Sequence, residues 1–359
     1  MSFFPPRRLR RNWMTIALWL TGPVALAGFV FLWIGSSRFI IPKRRPLEDR
    51  HHQLLAAPAE FGLELEPIAV TLPDGVVLQT ILATRADPMG FAEKTRHMES
   101  RLVEAGVIPP SGGRGTIVLL HGRGGLKENM LSVAQRFVAA DFRCLVYDAR
   151  AHGQSGGRFC TFGKKETEDL SFLLSNLESI LSARGESAGP FGVFGNSLGA
   201  AVILQALSTN PKIEAAVTVA PFAELPEIVI RSSHRTIHPS LPEFLIRGPM
   251  KLGGWRAGFD PSSIVPSNAV AGVEVPIYLM HGMKDEVIPP SHSLRILDSL
   301  GSKEKVWREI PEGYHSNVLA EGGDDHYQEM IEFFIRHLEP TAGSPGGNSL
   351  TDRGSQRRG

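Results

Sequence analysis

Two pentapeptides of this chain, Gly153-Gln154-Ser155-Gly156-Gly157 and Gly195-Asn196-Ser197-Leu198-Gly199, set a serine between flanking glycines. That spacing lets a strand turn sharply into a helix with the serine oxygen exposed, where it can act as a nucleophile. Among 37 glycines, one such match arises by chance too readily to decide anything alone. A nucleophile of this kind must follow a strand directly and open a helix. Ser197 does both, because "FGVFG" (191–195) reads as a strand and "LGAAVILQALS" as a helix. That helix also aims its first N–H groups, and the positive end of its dipole, at the place where negative charge would develop. Ser155 does neither: "ARAH" separates it from its strand, and "GGRFCTFGKK" after it has no helical period. "HGQSGG" therefore reads as a tight glycine-rich turn, and Ser197 as the nucleophile.

A serine hydroxyl needs a base, and the base a carboxylate to orient it. Both are expected further along the chain, each in a loop at the carboxyl end of a strand. The strand "VPIYLMHG" leads into Met283-Lys284-Asp285, and "KVWREIP" leads into Glu312-Gly313-Tyr314-His315. Asp298 and His292 fall on an expected helix, and Asp324, Asp325 and His326 begin another, so they are poorly placed. Glu286, beside Asp285, stays open as an alternative acid. "HGRGG" (121–125) follows a strand, where backbone N–H groups can face a developing oxyanion. The expected donors are the N–H groups of Arg123 and Leu198. The Arg123 side chain is expected either in solvent or against an anionic group of a substrate.

These residues need a scaffold. Short apolar runs alternate with longer helical patterns, which predicts an α/β fold with a mostly parallel central sheet flanked by helices. The expected strands are a hairpin through "LEPIAVTL" and "VVLQTIL" about Pro73-Asp74-Gly75, then 116–122, 142–150, 191–195, 215–221, 275–282 and 305–311. "KKETEDLSFLLSNLESILSARG" reads as an amphipathic helix with Leu170, Leu173, Leu174, Leu177 and Leu181 on one face. Residues 222–272, rich in proline and glycine with short helical pieces such as "LPEFLIRG", break the alternation, as an insertion with little regular order would. The composition is globular, with 42% hydrophobic and 21% charged residues. A net charge of +1 without a basic stripe argues against nucleic acid as a partner. Two cysteines, Cys144 and Cys160, give neither a disulfide framework nor a metal site. No cofactor motif is present.

From Trp13 to Gly35 the chain carries no charge, long enough to cross a bilayer core of about 30 Å. Trp13 and Trp33 would then lie one at each interface. Ala25-Leu26-Ala27 has the form of a signal-peptidase site, but the apolar run continues past it, which favours an uncleaved anchor. Arg7, Arg8, Arg10 and Arg11 crowd the span more tightly than Arg38, Lys43, Arg44 and Arg45, so the domain is expected outside the cytoplasm. The expected organisation is a basic tail (1–12), an anchor (13–35), a linker (36–60), a catalytic domain (61–339, with 222–272 inserted) and a disordered tail (340–359).

With "LLHGRGG", "YDARAHGQSGG", "GNSLGA", "HGMKDEVIP" and "PEGYHSN" in place, residues 63–338 resemble the α/β-hydrolase superfamily. Within it they look most like membrane-anchored α/β-hydrolase-domain proteins and relatives grouped with serine aminopeptidases and monoacylglycerol lipases. The resemblance implies Ser197, Asp285 and His315 as a catalytic triad, 222–272 as a cap over the pocket, and Asp148–Ser155 as a structural loop. In that loop Ala151 replaces a usual glycine. The resemblance implies no substrate; the expected activity is that of a membrane-tethered serine hydrolase cleaving carboxylic esters of small molecules or lipids through an acyl-enzyme. A thioesterase or serine peptidase with the same groups, or a silent membrane-bound interaction protein, are the alternatives.

Overall fold

The computed structural model describes residues 8–107 and 113–338, with side chains from Thr21 onward. The expected C-terminal tail, most of the basic N-terminal tail and the Trp13 side chain lie outside the described residues. The chain opens with α1 (Arg8–Ile40), which stays helical through Pro23. Its stretch Thr21–Ile40 is long and apolar enough to cross a membrane, with a mean hydropathy of 1.5 and 11% of it buried. Then come α2 (Asp49–Ala56), β1 (Leu63–Thr71), β2 (Val77–Arg85), α3 (Glu93–Glu104), β3 (Thr116–Leu120), α4 (Lys127–Phe137) and β4 (Arg143–Tyr147). They are followed by α5 (Glu166–Ala183), β5 (Phe191–Asn196), α6 (Leu198–Ala206) and β6 (Ile213–Val219). After β6 lie α7 (Leu225–Thr236), α8 (Glu243–Ala257) and α9 (Pro266–Ala269). The chain then closes through β7 (Ile277–Gly282), α10 (Pro290–Ser299), β8 (Lys305–Ile310) and α11 (Val318–His337).

The eight strands form one sheet in the order β1-β2-β4-β3-β5-β6-β7-β8. The β1–β2 and β2–β4 pairs are antiparallel, and from β4 to β8 every pair is parallel. Strands covered on both faces must be apolar throughout rather than alternating. β3 (TIVLL) and β7 (IYLMHG) are buried at every position. One face packs against α3, α4 and α11 through Met98, Leu131, Phe137 and Phe334. The other packs against α5, α6 and α10 through Leu170, Leu174, Ile203 and Ile296. The leucine stripe expected on the α5 helix is buried in full.

Two segments differ from the sequence-based expectation. Residues 222–272 hold two substantial helices rather than short helical pieces in loosely ordered chain. Pro226 stands in the first turn of α7 and Pro242 just before α8, where a missing N–H costs nothing, so these prolines start helices instead of breaking them. The segment 36–60, expected as a linker, contains the end of α1 and all of α2. Phe39 and Ile40 are core residues, and their burial against the body carries α1 past Gly35.

α1 and α8 run side by side in close contact. A Cβ on Gly253 would lie 2.8 Å from the Phe39 ring, and one on Gly35 2.8 Å from Pro249. The Arg256 guanidinium lies 3.9 Å from the Trp33 ring centroid and donates to the Ser36 and Ser37 hydroxyls.

Candidate active site

Strand β5 occupies the middle of the sheet, and its carboxyl end turns into α6 at Ser197. The turn is tight enough to hold Ser197 at φ 52°, ψ −115°, a conformation that costs a non-glycine residue free energy. Close approach demands glycine on both sides. A Cβ on Gly199 would fall 2.4 Å from the Leu120 carbonyl oxygen, and one on Gly195 2.6 Å from the Gly199 carbonyl carbon. The Ser197 N–H donates to the Val219 carbonyl at 2.8 Å, fixing the turn to β6.

The loops after β7 and β8 bring two groups to this serine. The Ser197 hydroxyl is 3.0 Å from His315 Nε2, and His315 Nδ1 is 2.6 Å from Asp285 Oδ2. A carboxylate can only accept, so Nδ1 carries the proton, and Nε2 is left to accept from the serine. The other carboxylate oxygen, Oδ1, accepts from the Val287 and Ile288 N–H groups at 2.8 and 2.9 Å. Burial would raise the Asp285 carboxyl. Hydrogen bonds from His281, His315 and the Ile288 N–H outweigh that and hold it well below the usual carboxylate range.

His281 is a neighbour that sequence reasoning did not single out. It is fully buried, with Nε2 2.8 Å from the Ile288 carbonyl and 3.3 Å from Asp285 Oδ2. Its Nδ1 lies 2.6 Å from the Ser293 hydroxyl. It therefore braces the acid from behind. Its position at the end of an apolar strand gave no signal, because its partners come from α10 and the next loop.

The His121–Gly125 loop reaches the serine from the other side. A Cβ on Gly122 would lie 3.3 Å from the Ser197 Cβ. The loop is closed by the Gly125 N–H donating to the Gly122 carbonyl at 2.9 Å. Burial lowers the His121 imidazole's pKa, and its Nδ1 lies 2.8 Å from the same carbonyl. The Arg123 N–H makes no hydrogen bond among the described residues, and Leu198, first residue of α6, has no intrahelical acceptor. The Arg123 side chain is exposed, as expected of an arginine in solvent, but its guanidinium is also tied to the protein. It donates to the Arg38 and Phe39 carbonyls, at 2.8 and 2.9 Å, at the end of α1.

The competing residues are elsewhere. Ser155 is 1% exposed; its hydroxyl donates to the Asp148 carbonyl at 2.6 Å and accepts from the Gln79 N–H at 2.8 Å. Its loop is structural, and Ala151 within it stands at φ 65°. Glu286 points to solvent beside the buried Asp285. Asp324 pairs with Arg136 at 2.8 Å and Asp325 with Arg101 at 2.5 Å. His292 accepts from the Ala223 N–H at 3.2 Å. Among the described residues no cluster of His, Cys, Asp and Glu is arranged to hold a metal.

A cavity of about 40 Å³ lies between Ser197, His315, Asn196 and Leu319. A larger groove, of about 960 Å³, runs past Asp74, Arg150, Phe172 and Gln205 and touches none of the three aligned residues. The aligned Ser197 and His315 thus lie at the smaller cavity and not at the larger groove.

Comparison with known proteins fits this geometry. A family model described as serine aminopeptidase, S33, matches residues 112–256, which include the His121–Gly125 loop and Ser197. Protein bem46 of Schizosaccharomyces pombe is 22% identical over 316 residues, 88% of this chain and 90% of its own length. A monoacylglycerol lipase of Mycolicibacterium smegmatis is 24% identical over 265 residues, 64% of this chain and 91% of that one. A solved esterase of Pyrococcus furiosus superposes with a TM-score of 0.60 at 20% identity, covering 84% of this chain and 98% of the esterase. The chain belongs to the α/β-hydrolase superfamily. Its likeness is to the esterase- and lipase-like hydrolases of that superfamily. The S33 match stops before Asp285 and His315, so those two rest on the geometry of this chain alone.

Proposed function

We propose that this protein is a membrane-anchored serine hydrolase that cleaves carboxylic esters through an acyl-enzyme. The observation that carries the reading is the continuous row from Ser197 Oγ through His315 to Asp285. In this reaction Ser197 Oγ attacks the ester carbonyl while His315 Nε2 takes its proton, and His315 returns that proton to the leaving alcohol. Water then repeats the attack on the acyl-enzyme with His315 again as base. Asp285 holds the Nδ1–H tautomer and favours the imidazolium that forms at each step. The Arg123 and Leu198 N–H groups stabilise the oxyanion, each worth roughly a hundred- to a thousandfold in rate.

The apolar helix α1 supports single-pass anchoring, and the arginines crowded before it support a domain outside the cytoplasm. Protease added to intact spheroplasts then degrades the domain; protection until lysis puts it inside. Residues 222–272 serve as the cap. Of the apolar residues there, Phe222, Leu225 and Ile246 are core. Half-buried Ile228, Val229, Ile230 and Leu245, with exposed Phe244, remain to meet an acyl chain. Thioester or peptide cleavage would use the same groups; the lipase and esterase among the similar proteins favour esters.

A fluorophosphonate probe and p-nitrophenyl esters of two to sixteen carbons test this. Ser197→Ala loses labelling and turnover by a factor of order a million, whereas Ser155→Ala keeps labelling wherever it folds. Lengthening acetyl to hexanoyl raises kcat/KM by about two orders of magnitude, at roughly 0.8 kcal/mol per methylene. A falling trend from the shortest ester excludes the lipophilic substrate. Wild-type protein that neither labels nor turns over excludes the serine mechanism.

A further inference from the structure

The last turn of α1 lies under the loop that faces Ser197. A helix leaves its last four carbonyls without intrahelical partners, and here each finds one. The Ser37 carbonyl accepts from the Ile41 N–H at 2.9 Å, and the Ile40 carbonyl from the Cys160 N–H at 2.8 Å. The two between them, Arg38 and Phe39, accept from a single nitrogen, Nη2 of Arg123. A guanidinium at a helix C-terminus also meets the negative end of the helix dipole. The same guanidinium lies 5.7 Å from the Phe162 ring centroid, and Phe162 stacks on Phe39 at 5.0 Å. The side chain is thus held to the helix by hydrogen bonds and to the aromatic pair below it by packing.

The backbone of the same residue belongs to a loop that has little stiffness of its own. Glycines stand on both sides of Arg123, and Gly124 is at φ 72°. His121 holds the near end through the Gly122 carbonyl; past that point the Arg123 side chain is the loop's tether to α1. A neighbouring residue repeats the device. Arg44, four positions beyond α1, donates to the His152, Gly153 and Gly157 carbonyls of the adjacent turn.

We propose that Arg123 is a positioning residue whose side chain, clamped to the C-terminal carbonyls of α1, holds its own N–H toward the reacting carbonyl. The end of the apolar helix is then part of the active site and not only an anchor. This rests on the serine-hydrolase reading, and the experiment separates the two.

Full-length wild type, Arg123→Met and Arg123→Lys are compared for kcat and KM on p-nitrophenyl butyrate, fluorophosphonate labelling rate and Tm, with turnover expressed per labelled serine. Methionine keeps the backbone N–H and an apolar stem but loses every donor; lysine restores a cation and a donor. A complete oxyanion donor is worth about a hundred- to a thousandfold, so a misplaced one lowers kcat by roughly ten- to a hundredfold in Arg123→Met. KM changes less than about threefold, and Arg123→Lys recovers part of kcat. Unchanged kcat per labelled serine, even with a lower Tm, overturns the proposal, because the clamp is then only structural. Raised KM at unchanged kcat also overturns it, since Arg123 would then meet the substrate. Should Arg123→Met not fold, Arg123→Lys decides alone: wild-type kcat at wild-type KM is evidence against geometric positioning by the fork, and a reduced kcat supports it. Failure of the wild type to label is a different result and removes the serine mechanism itself.

Discussion

Asp285 is buried, yet its carboxyl sits below the ordinary range, because donors from three different elements converge on it. Such a group is ionised wherever the protein is folded near neutrality, so it orients His315 without titrating. The same depression has a consequence for stability. A carboxyl whose folded pKa is lowered contributes fully above its unfolded value of about 3.9, and the contribution disappears as pH falls through the folded value. Asp285→Asn therefore destabilises by roughly 2–4 kcal/mol at pH 7. The gap to wild type narrows only below about pH 4. Urea titrations of both proteins from pH 7 to pH 3 measure it; a gap constant with pH means that the carboxyl is not held low by its donors. The convergence of Ser197, Asp285 and His315 could be read in sequence because each follows the end of an expected strand. His281 and the role of the Arg123 side chain were not, since their partners lie far away in the chain.

At the scale of elements, the turn from β5 to α6 concentrates strain at one residue. Ser197 stands at φ 52°, a region that L-residues avoid and glycine enters freely. Such strain costs about 1–3 kcal/mol and persists because Gly195 and Gly199 let β5, α6 and β3 press together. Ser197→Gly is accordingly more stable than Ser197→Ala by about 1 kcal/mol or more, though both are inactive. Thermal melts of the two variants check this. Equal Tm values would show that the turn is not strained at that position. This junction could be read from sequence because an apolar strand runs straight into an unbroken helical pattern between two glycines. Of α7 and α8, only the short piece "LPEFLIRG" at the start of α8 could be read. Pro226 and Pro242 look like breakers until it is known that they fall in or just before a first turn, Pro249 stands inside α8, and the apolar face of α8 is matched to α1, more than 200 residues earlier.

At the scale of the whole molecule, the α1–α8 contact packs the N-terminal helix onto the domain. The exposed apolar side chains Val24, Leu26 and Phe29 belong to the part of α1 available to a membrane, whereas Phe39 and Ile40 belong to the core. Trp33 lies at the transition, exposed on one side and covered by Arg256 on the other. Removing α1 in two lengths separates these roles. A chain beginning at Leu32 keeps Trp33, Ser36, Phe39 and Ile40 and is expected to fold, released from the membrane, with a Tm close to that of the full protein. A chain beginning at Pro42 loses Phe39 and Ile40, whose burial is worth about 1.5–3 kcal/mol each. It also loses the partner of Gly253 and the carbonyls that Arg123 binds. That sum approaches the roughly 5–15 kcal/mol by which a domain is stable at all, so the shorter chain should be unfolded or aggregated at growth temperature. Circular dichroism melts of both truncations measure the difference. A chain from Pro42 that melts with the full-length protein would show that α1 only anchors the domain and that the core closes without it.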